Sequence, residues 1–321
     1  MSTAEFVNQL FEQTSFLNTP QGLYEPIEYT MRLGGKRLRP QLLINAAVMF
    51  GADAEKVAPA ALAIETFHNF TLLHDDLMDR SPLRRGKPTV YSKWDPNTAI
   101  LSGDAMLIIA WQHLLRLQCD NLQEILTTFN DTAIGIMEGQ QYDMEFEHRH
   151  DVTIDEYMEM IRLKTAVLLA GALKIGALYA HAPATDIAQL YRFGIHIGLA
   201  FQLQDDLLDT YGDTATFGKK TGQDILDNKK TYLPLKALET GSAEQTEELR
   251  ELFNGTATLP DDEKIAHVTA IYNQLDIRQI TQEEINRQFA IAEEALNAIM
   301  LPEERKKEMR QMAQRLLGRQ K

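Results

Sequence analysis

Asp75-Asp76-Leu77-Met78-Asp79 is answered 130 residues later by Asp205-Asp206-Leu207-Leu208-Asp209, the same acidic pattern written twice in one chain. Leu72, Leu73, Leu77 and Met78 surround the first copy, and Phe201, Leu203, Leu207 and Leu208 the second, so each lies in an apolar stretch of helical period. At about 100° per residue the three Asp of each copy fall on one side of a helix. Like charges one turn apart oppose the helix by roughly a few tenths of a kcal/mol per pair, more when half-buried, and a cation relieves them. Mg²⁺ suits this setting better than Zn²⁺, because it takes hard oxygen ligands and lets phosphate and water complete its shell. Two such helices facing each other would trap a diphosphate between their metals. The plain alternative for a single acidic cluster is a solvated helical face; two copies with matched apolar flanks argue instead for half-buried helices, where carboxylates need a charged partner.

Around these motifs almost every segment reads at the helical period and no convincing strand stands out. Helices are expected near 4–16, 21–33, 40–50, 55–79, 98–117, 121–146, 154–180, 185–210, 224–239, 244–253, 261–273, 277–298 and 302–318. Pro59 suits the first turn of the helix that carries the first motif, and Pro82 stops it. No linker appears, so the expectation is one all-α domain over residues 1–321. With 32 basic against 46 acidic residues, the chain argues against nucleic acid and against attraction to anionic lipid. Its only cysteine, Cys119, excludes an internal disulfide and reads as a small buried hydrophobe. The first residues lack a signal peptide's basic and apolar regions, and the most apolar run, Leu168 to Ala180, is broken by Lys174. A soluble, cytoplasmic protein without stable membrane insertion is expected.

Against that acidic background the clustered cations carry information. Gly34-Gly35-Lys36-Arg37-Leu38-Arg39-Pro40 sets three cations at a glycine-to-helix junction, where free backbone N–H groups also favour an anion. Arg84 and Arg85 follow the first acidic motif, and Gly218-Lys219-Lys220-Thr221-Gly222-Gln223-Asp224 with Lys229-Lys230-Thr231 follows the second. Singly, each is a surface solubilising residue; together they outline two anion sites, one reached through metal and one through direct ion pairs. The basic tail from Glu303 to Lys321 reads better as a solvated helical face than as the mouth of a site.

From Gly34 to Pro234 these residues resemble the trans-isoprenyl diphosphate synthases, the head-to-tail prenyl chain elongation enzymes. Gly34 to Pro40 is similar to the family's GGKRxRP, and Asp75 to Asp79 with Arg84 and Arg85 to its first aspartate-rich motif. Gly103-Asp104, Gly139-Gln140 with Asp143, and Lys164-Thr165 resemble its GD, GQxxD and KT. Phe201 to Asp209 is similar to its FQxxDDxxD, and Gly218 to Thr231 to its GKxxGxDxxxxKxT. His68 stands where some members carry Gln. The resemblance implies an all-α bundle of the isoprenoid synthase type with a central cavity between long helices, and a homodimer, which the apolar helix over Leu101 to Leu117 would suit.

The resemblance also implies roles. Mg²⁺, about three ions per active site, would be held by Asp75, Asp79 and Asp205, with Asp76 also in the catalytic set. Arg84, Lys164, Lys219 and Lys229 would contact the allylic diphosphate, and Lys36, Arg39, His68 and Arg85 would hold isopentenyl diphosphate. Lys164, Thr165 and Gln202 would stand beside the allylic cation. Phe70, five residues before Asp75, would stop the growing tail and give a short product of fifteen or twenty carbons, with Phe67 and Thr71 as neighbours. The helical wheel favours the neighbours: His68 projects within about 20° of Asp75 and Thr71 within about 40°, whereas Phe70 lies about 140° round. Three other readings are a class I terpene cyclase, which has no need of a second diphosphate site, a regulatory subunit of a heteromeric synthase, and an acidic all-α scaffold without catalysis.

Overall fold

Several helices of this chain begin where a side-chain oxygen replaces a missing backbone acceptor. Ser2 and Glu5 form a capping box at the start of α1 (Thr3–Gln13), and Thr153 with Glu156 does the same for α8 (Ile154–Ile161). Asp53 accepts from the Glu55 amide at 3.0 Å to open α4 (Ala54–Met78), and Asp95, followed by Pro96, opens α6 (Pro96–Leu114). A computed structural model describes residues 1–212, 221–255 and 259–318. The described residues are nearly all helical, and they fall into two compact units that interleave along the chain.

Residues 1–130 and 171–187 form the first unit. Here α4 packs along α6 and against α3 (Leu38–Met49), while α2 (Gln21–Arg32) covers α6. Because α4 is buried on most of its circumference, from Val57 through Phe67, its acidic end sits on a rigid support. Residues 171–179 of α9 (Val167–Tyr179) come close to α3 at Gly176, where a Cβ would lie 2.2 Å from the Leu43 carbonyl oxygen. Pro59 is the sixth residue of α4 rather than a first-turn residue, because the Asp53 cap starts the helix earlier. The expectation of no strand also needs correcting: β1 (Leu83–Arg84) and β2 (Lys87–Pro88) form a two-residue antiparallel hairpin. Arg85 at φ +54° and Gly86 at φ +74° make its turn, which alternation of side chains is too short to reveal. The four-residue α5 (Val90–Lys93) leads from the hairpin into α6.

Residues 131–170 and 188–321 form the second unit. Its core joins Tyr157, Met160 and Ala166 to Leu199, Leu203 and Leu207 of α10 (Ala184–Tyr211) and to Leu233, Leu249, Val268 and Tyr272. The single helix expected over 154–180 is interrupted by a π-helical turn, Arg162–Ala166, between α8 and α9. Two close approaches hold that turn. A Cβ on Gly139 of α7 (Leu122–His148) would sit 2.3 Å from the Lys164 amide nitrogen, and one on Gly198 would sit 2.5 Å from the Ala166 Cα. The expected helix over 224–239 is likewise two pieces, α11 (Gln223–Leu226) and α12 (Tyr232–Thr240), separated at Asn228 with φ +55°. Pro234 explains the restart, since in the first turn its missing N–H leaves no bond unmade. Helices α13 (Ala243–Phe253), α14 (Asp261–Gln274), α15 (Ile277–Ala298) and α16 (Glu303–Leu317) complete the unit. Among the described residues no helix is long and apolar enough to cross a membrane.

Candidate active site

In the first unit the hairpin exists to return Arg84 to the helix it has just left. Its Nε donates to both Asp76 oxygens at 2.8 Å, and its Nη2 lies 2.7 Å from Asp76 Oδ1 and 3.4 Å from Asp75 Oδ2. Asp76 is buried, Asp75 half-buried and Asp79 exposed. Burial pushes the Asp76 carboxyl up and Arg84 opposes that; burial alone would lower the Arg84 guanidinium, but Asp76 outweighs it and holds Arg84 firmly charged. The middle Asp is therefore an anchor, and Asp75 and Asp79, one turn apart, are the carboxylates nearer solvent.

A second cationic group lies in the same unit. Gly34, Gly35 and Arg37 all take positive φ (83°, 134° and 46°) in the turn before α3. The Arg85 guanidinium lies so close to Gly35 that a Cβ there would be 2.8 Å from both of its terminal nitrogens, which gives that glycine a steric reason. Arg39 Nη1 approaches His68 Nε2 at 3.1 Å. Burial, then Arg39 and Arg85, hold the His68 pKa well below the ordinary value, so the ring is neutral and Nε2 accepts from Arg39. Arg39 is lowered by burial to about 10 and stays charged at neutral pH. Lys36 is exposed at the head of the same turn.

An aromatic column runs along α4 from the acidic end. Phe70 meets the His74 ring at 4.8 Å between centroids and Phe67 at 5.5 Å; Phe67 meets Phe129 at 5.2 Å, and Phe129 meets Trp111 at 5.3 Å. Thr71 donates its hydroxyl to the His68 carbonyl at 2.8 Å. Gly103 makes room for His74, since a Cβ would fall 2.1 Å from its Nε2, while the neighbouring Asp104 is exposed.

In the second unit the π turn presents Lys164 and Thr165 in succession. Lys164 Nζ pairs with Asp143 Oδ2 at 2.5 Å, and Thr165 Oγ1 donates to Gln202 Oε1 at 3.1 Å. Gln202 Nε2 donates in turn to Asp206 Oδ1 at 3.0 Å, and the Tyr157 hydroxyl donates to Asp206 Oδ2. Burial raises the Asp206 carboxyl to about 7 against those hydrogen bonds. Asp205 and Asp209 are half-buried on either side of it in sequence. Asp209 Oδ2 accepts the Asp224 amide at 3.0 Å, and Asp224 is pushed up to about 8, chiefly by burial and then by Asp206 and Asp209. Lys229 opposes that rise and is half-buried. Lys219 lies outside the described residues, as do Gly218 and Lys220.

A model of the polyprenyl synthetase family matches residues 20–275. The chain belongs to the polyprenyl synthetase family. It is accordingly a prenyltransferase with the all-α fold of its relatives. A solved geranylgeranyl pyrophosphate synthase is 42% identical and superposes with a TM-score of 0.94, covering 100% of this chain and 98% of that one. A short chain isoprenyl diphosphate synthase of Methanothermobacter thermautotrophicus is 39% identical over 257 residues, 80% of this chain and 78% of the relative. A geranylgeranyl diphosphate synthase of Methanosarcina mazei is 39% identical over 259 residues, again 80% and 78%.

In this synthetase the structure joins Arg39 with His68, Arg84 with Asp75 and Asp76, and Thr165 with Gln202. Sequence reading did not find Tyr157 as the Asp206 donor, Asp143 as the Lys164 partner, or Phe129 and Trp111 as continuations of the column. Tyr157 stands seven residues before Lys164, two helical turns away, which was the available signal. Among the described residues no three His, Cys, Asp or Glu side chains close into a cage. The donors are instead all oxygen and paired one turn apart, a set suited to a hard cation that keeps water and phosphate as ligands.

Proposed function

We propose that the chain is a Mg²⁺-dependent synthase. It condenses isopentenyl diphosphate with dimethylallyl, geranyl or farnesyl diphosphate into an all-trans prenyl diphosphate of fifteen to twenty carbons. The observation that carries this reading is that each acidic motif buries its middle Asp, Asp76 against Arg84 and Asp206 against Tyr157 and Gln202, and sets its outer carboxylates nearer solvent. Asp75, Asp79 and Asp205 would hold the metal, which when bound draws charge onto the leaving diphosphate. Lys164, Lys219 and Lys229, with Arg84, supply direct positive charge to the allylic diphosphate, while Lys36, Arg39, His68 and Arg85 hold isopentenyl diphosphate. The C–O bond of the allylic substrate breaks with its electron pair on the diphosphate. The double bond of isopentenyl diphosphate then attacks the carbocation, and loss of a proton from the carbon next to the new cationic centre to the departing diphosphate closes the new double bond. Thr165 and Gln202, locked to one another, keep fixed dipoles near that cation and leave no loose water donor.

The cluster of Arg39, His68 and Arg85 supports a two-substrate enzyme over a cyclase, which has one diphosphate to bind. We read residues 1–321 as one synthetase domain, cytoplasmic and homodimeric. Leu101, Ile108 and Leu115, 57–61% exposed and seven residues apart, form an apolar stripe suited to a second copy. Mass analysis of products from labelled isopentenyl diphosphate with the five-, ten- and fifteen-carbon primers tests the reading. Phe70, 6% exposed against His74 and Phe67, is the proposed floor for the tail. Phe70→Ala is expected to lengthen the main product by about one five-carbon unit, the size of ring removed; an unchanged distribution removes Phe70 from that role.

A further inference from the structure

Glu65 is a carboxylate that none of the roles above uses. It lies on α4 ten residues before Asp75 and is 5% exposed. Asn69 Nδ2 donates to its carbonyl at 2.8 Å and to its Oε1 at 3.3 Å, while Oε2 is buried without a hydrogen-bond partner. One turn along the same face, His68 Nε2 accepts from Arg39 Nη1 at 3.1 Å, and Arg39 Nε is likewise buried without an acceptor. Glu65 is the acid whose field opposes the desolvation of Arg39, and it acts in the same direction on Arg37 and Arg85; burial raises its own carboxyl, and Arg39, then the Asn69 hydrogen bond, pull it back toward the charged form. A carboxylate serving only as a core ion pair would close on one guanidinium; among the described residues Glu65 makes no such contact, and Asn69 holds one of its oxygens.

We propose that Glu65 is the positioning residue of the isopentenyl diphosphate subsite: the carboxylate pinned by Asn69 balances the half-buried charge of Arg39 and the exposed charge of Arg85 without pairing with them, so that the guanidiniums stay oriented for an incoming diphosphate. The inference rests on the reading that Arg39, His68 and Arg85 bind that substrate. A half-buried guanidinium without a counter-charge is costly, and on loss of Glu65 the Arg39 side chain turns toward solvent. An ion pair closed directly on Glu65 would instead occupy the donors that the diphosphate needs.

Isopentenyl diphosphate does not react without a primer, so its binding can be titrated calorimetrically on the intact protein alongside steady-state kinetics. Glu65→Gln is expected to raise the KM and Kd for isopentenyl diphosphate on the order of tenfold, the loss expected when a charged hydrogen-bonding group is disoriented. The KM for the allylic primer is expected to stay within about twofold of wild type. Glu65→Asp should recover part of the loss. Asn69→Ala, which keeps the carboxylate but frees it to close on Arg39, should move the same constant in the same direction, and it decides the matter should Glu65→Gln fail to fold. Wild-type Kd for isopentenyl diphosphate in a folded Glu65→Gln or Asn69→Ala protein would overturn the proposal while leaving the subsite assignment standing. Absence of binding to the wild-type protein itself would overturn both.

Discussion

Asp76 and Asp206 occupy the same place in two motifs of identical spacing, and both are buried, yet they are stabilised by opposite means. Asp76 meets a guanidinium brought round by a hairpin, with contacts of 2.7–2.8 Å. Asp206 meets neutral donors, the Tyr157 hydroxyl and the Gln202 amide, and burial raises its carboxyl to about 7. One motif sets a guanidinium on its middle carboxylate; in the other the middle carboxylate has neutral donors and is pushed up further by Asp205 and Asp209. The repeated pattern is thus a repeated sequence signature whose middle carboxylates sit in two different electrostatic settings.

The comparison is tested first at the outer carboxylates. Asp75→Ala and Asp205→Ala are each expected to cut kcat/KM by about a thousandfold, equivalent to about 4 kcal/mol of transition-state stabilisation, as read in the condensation assay. If either variant keeps wild-type rates, that motif does not hold the metal.

The two anchors should also differ in what they contribute to stability. Arg84→Ala leaves the Asp76 charge buried without its partner and should cost about 3–5 kcal/mol, seen as a lower denaturant midpoint with unchanged slope. Tyr157→Phe removes one donor from a carboxyl that can take up a proton, and should cost only about 1–2 kcal/mol. Equal costs would mean that the two anchors are not electrostatically distinct.

The last difference is one of pH. The folded pKa of Asp206, about 7, lies above the ordinary aspartate value of 3.8, so its contribution is complete below about pH 4 and is lost as pH rises through 7. In EDTA, Asp206→Asn should therefore gain about 1–3 kcal/mol on wild type between pH 4 and pH 8, with the gain levelling off above pH 7. A stability difference independent of pH would show that Asp206 is ionised throughout that range.

Much of this was legible before the fold was known. Apolar periodicity placed the long helices to within a few residues, and the two acidic motifs with the glycine-rich basic turn brought the family into view, because these are local patterns. What the sequence did not disclose depends on distant partners. The π turn at Arg162–Ala166 is held by Gly139 and Gly198, and Pro59 lies inside α4 because Asp53 caps the helix earlier. The turn that carries Arg84 back to Asp76 depends on two positive-φ residues, Arg85 and Gly86. Burial separated the three Asp of each motif, which the helical wheel had grouped as equals: the wheel shows direction, whereas Arg84 and Tyr157 decide which carboxylate is occupied.

On this account the outer carboxylates of both motifs work through a divalent cation on two diphosphates. This is tested most directly by following consumption of labelled isopentenyl diphosphate by the purified protein with each allylic primer, in Mg²⁺ and then in excess EDTA. Formation of a single product class of fifteen to twenty carbons that stops in EDTA and returns with added Mg²⁺ is the expected result. No condensation with any primer, or turnover indifferent to EDTA, would contradict it.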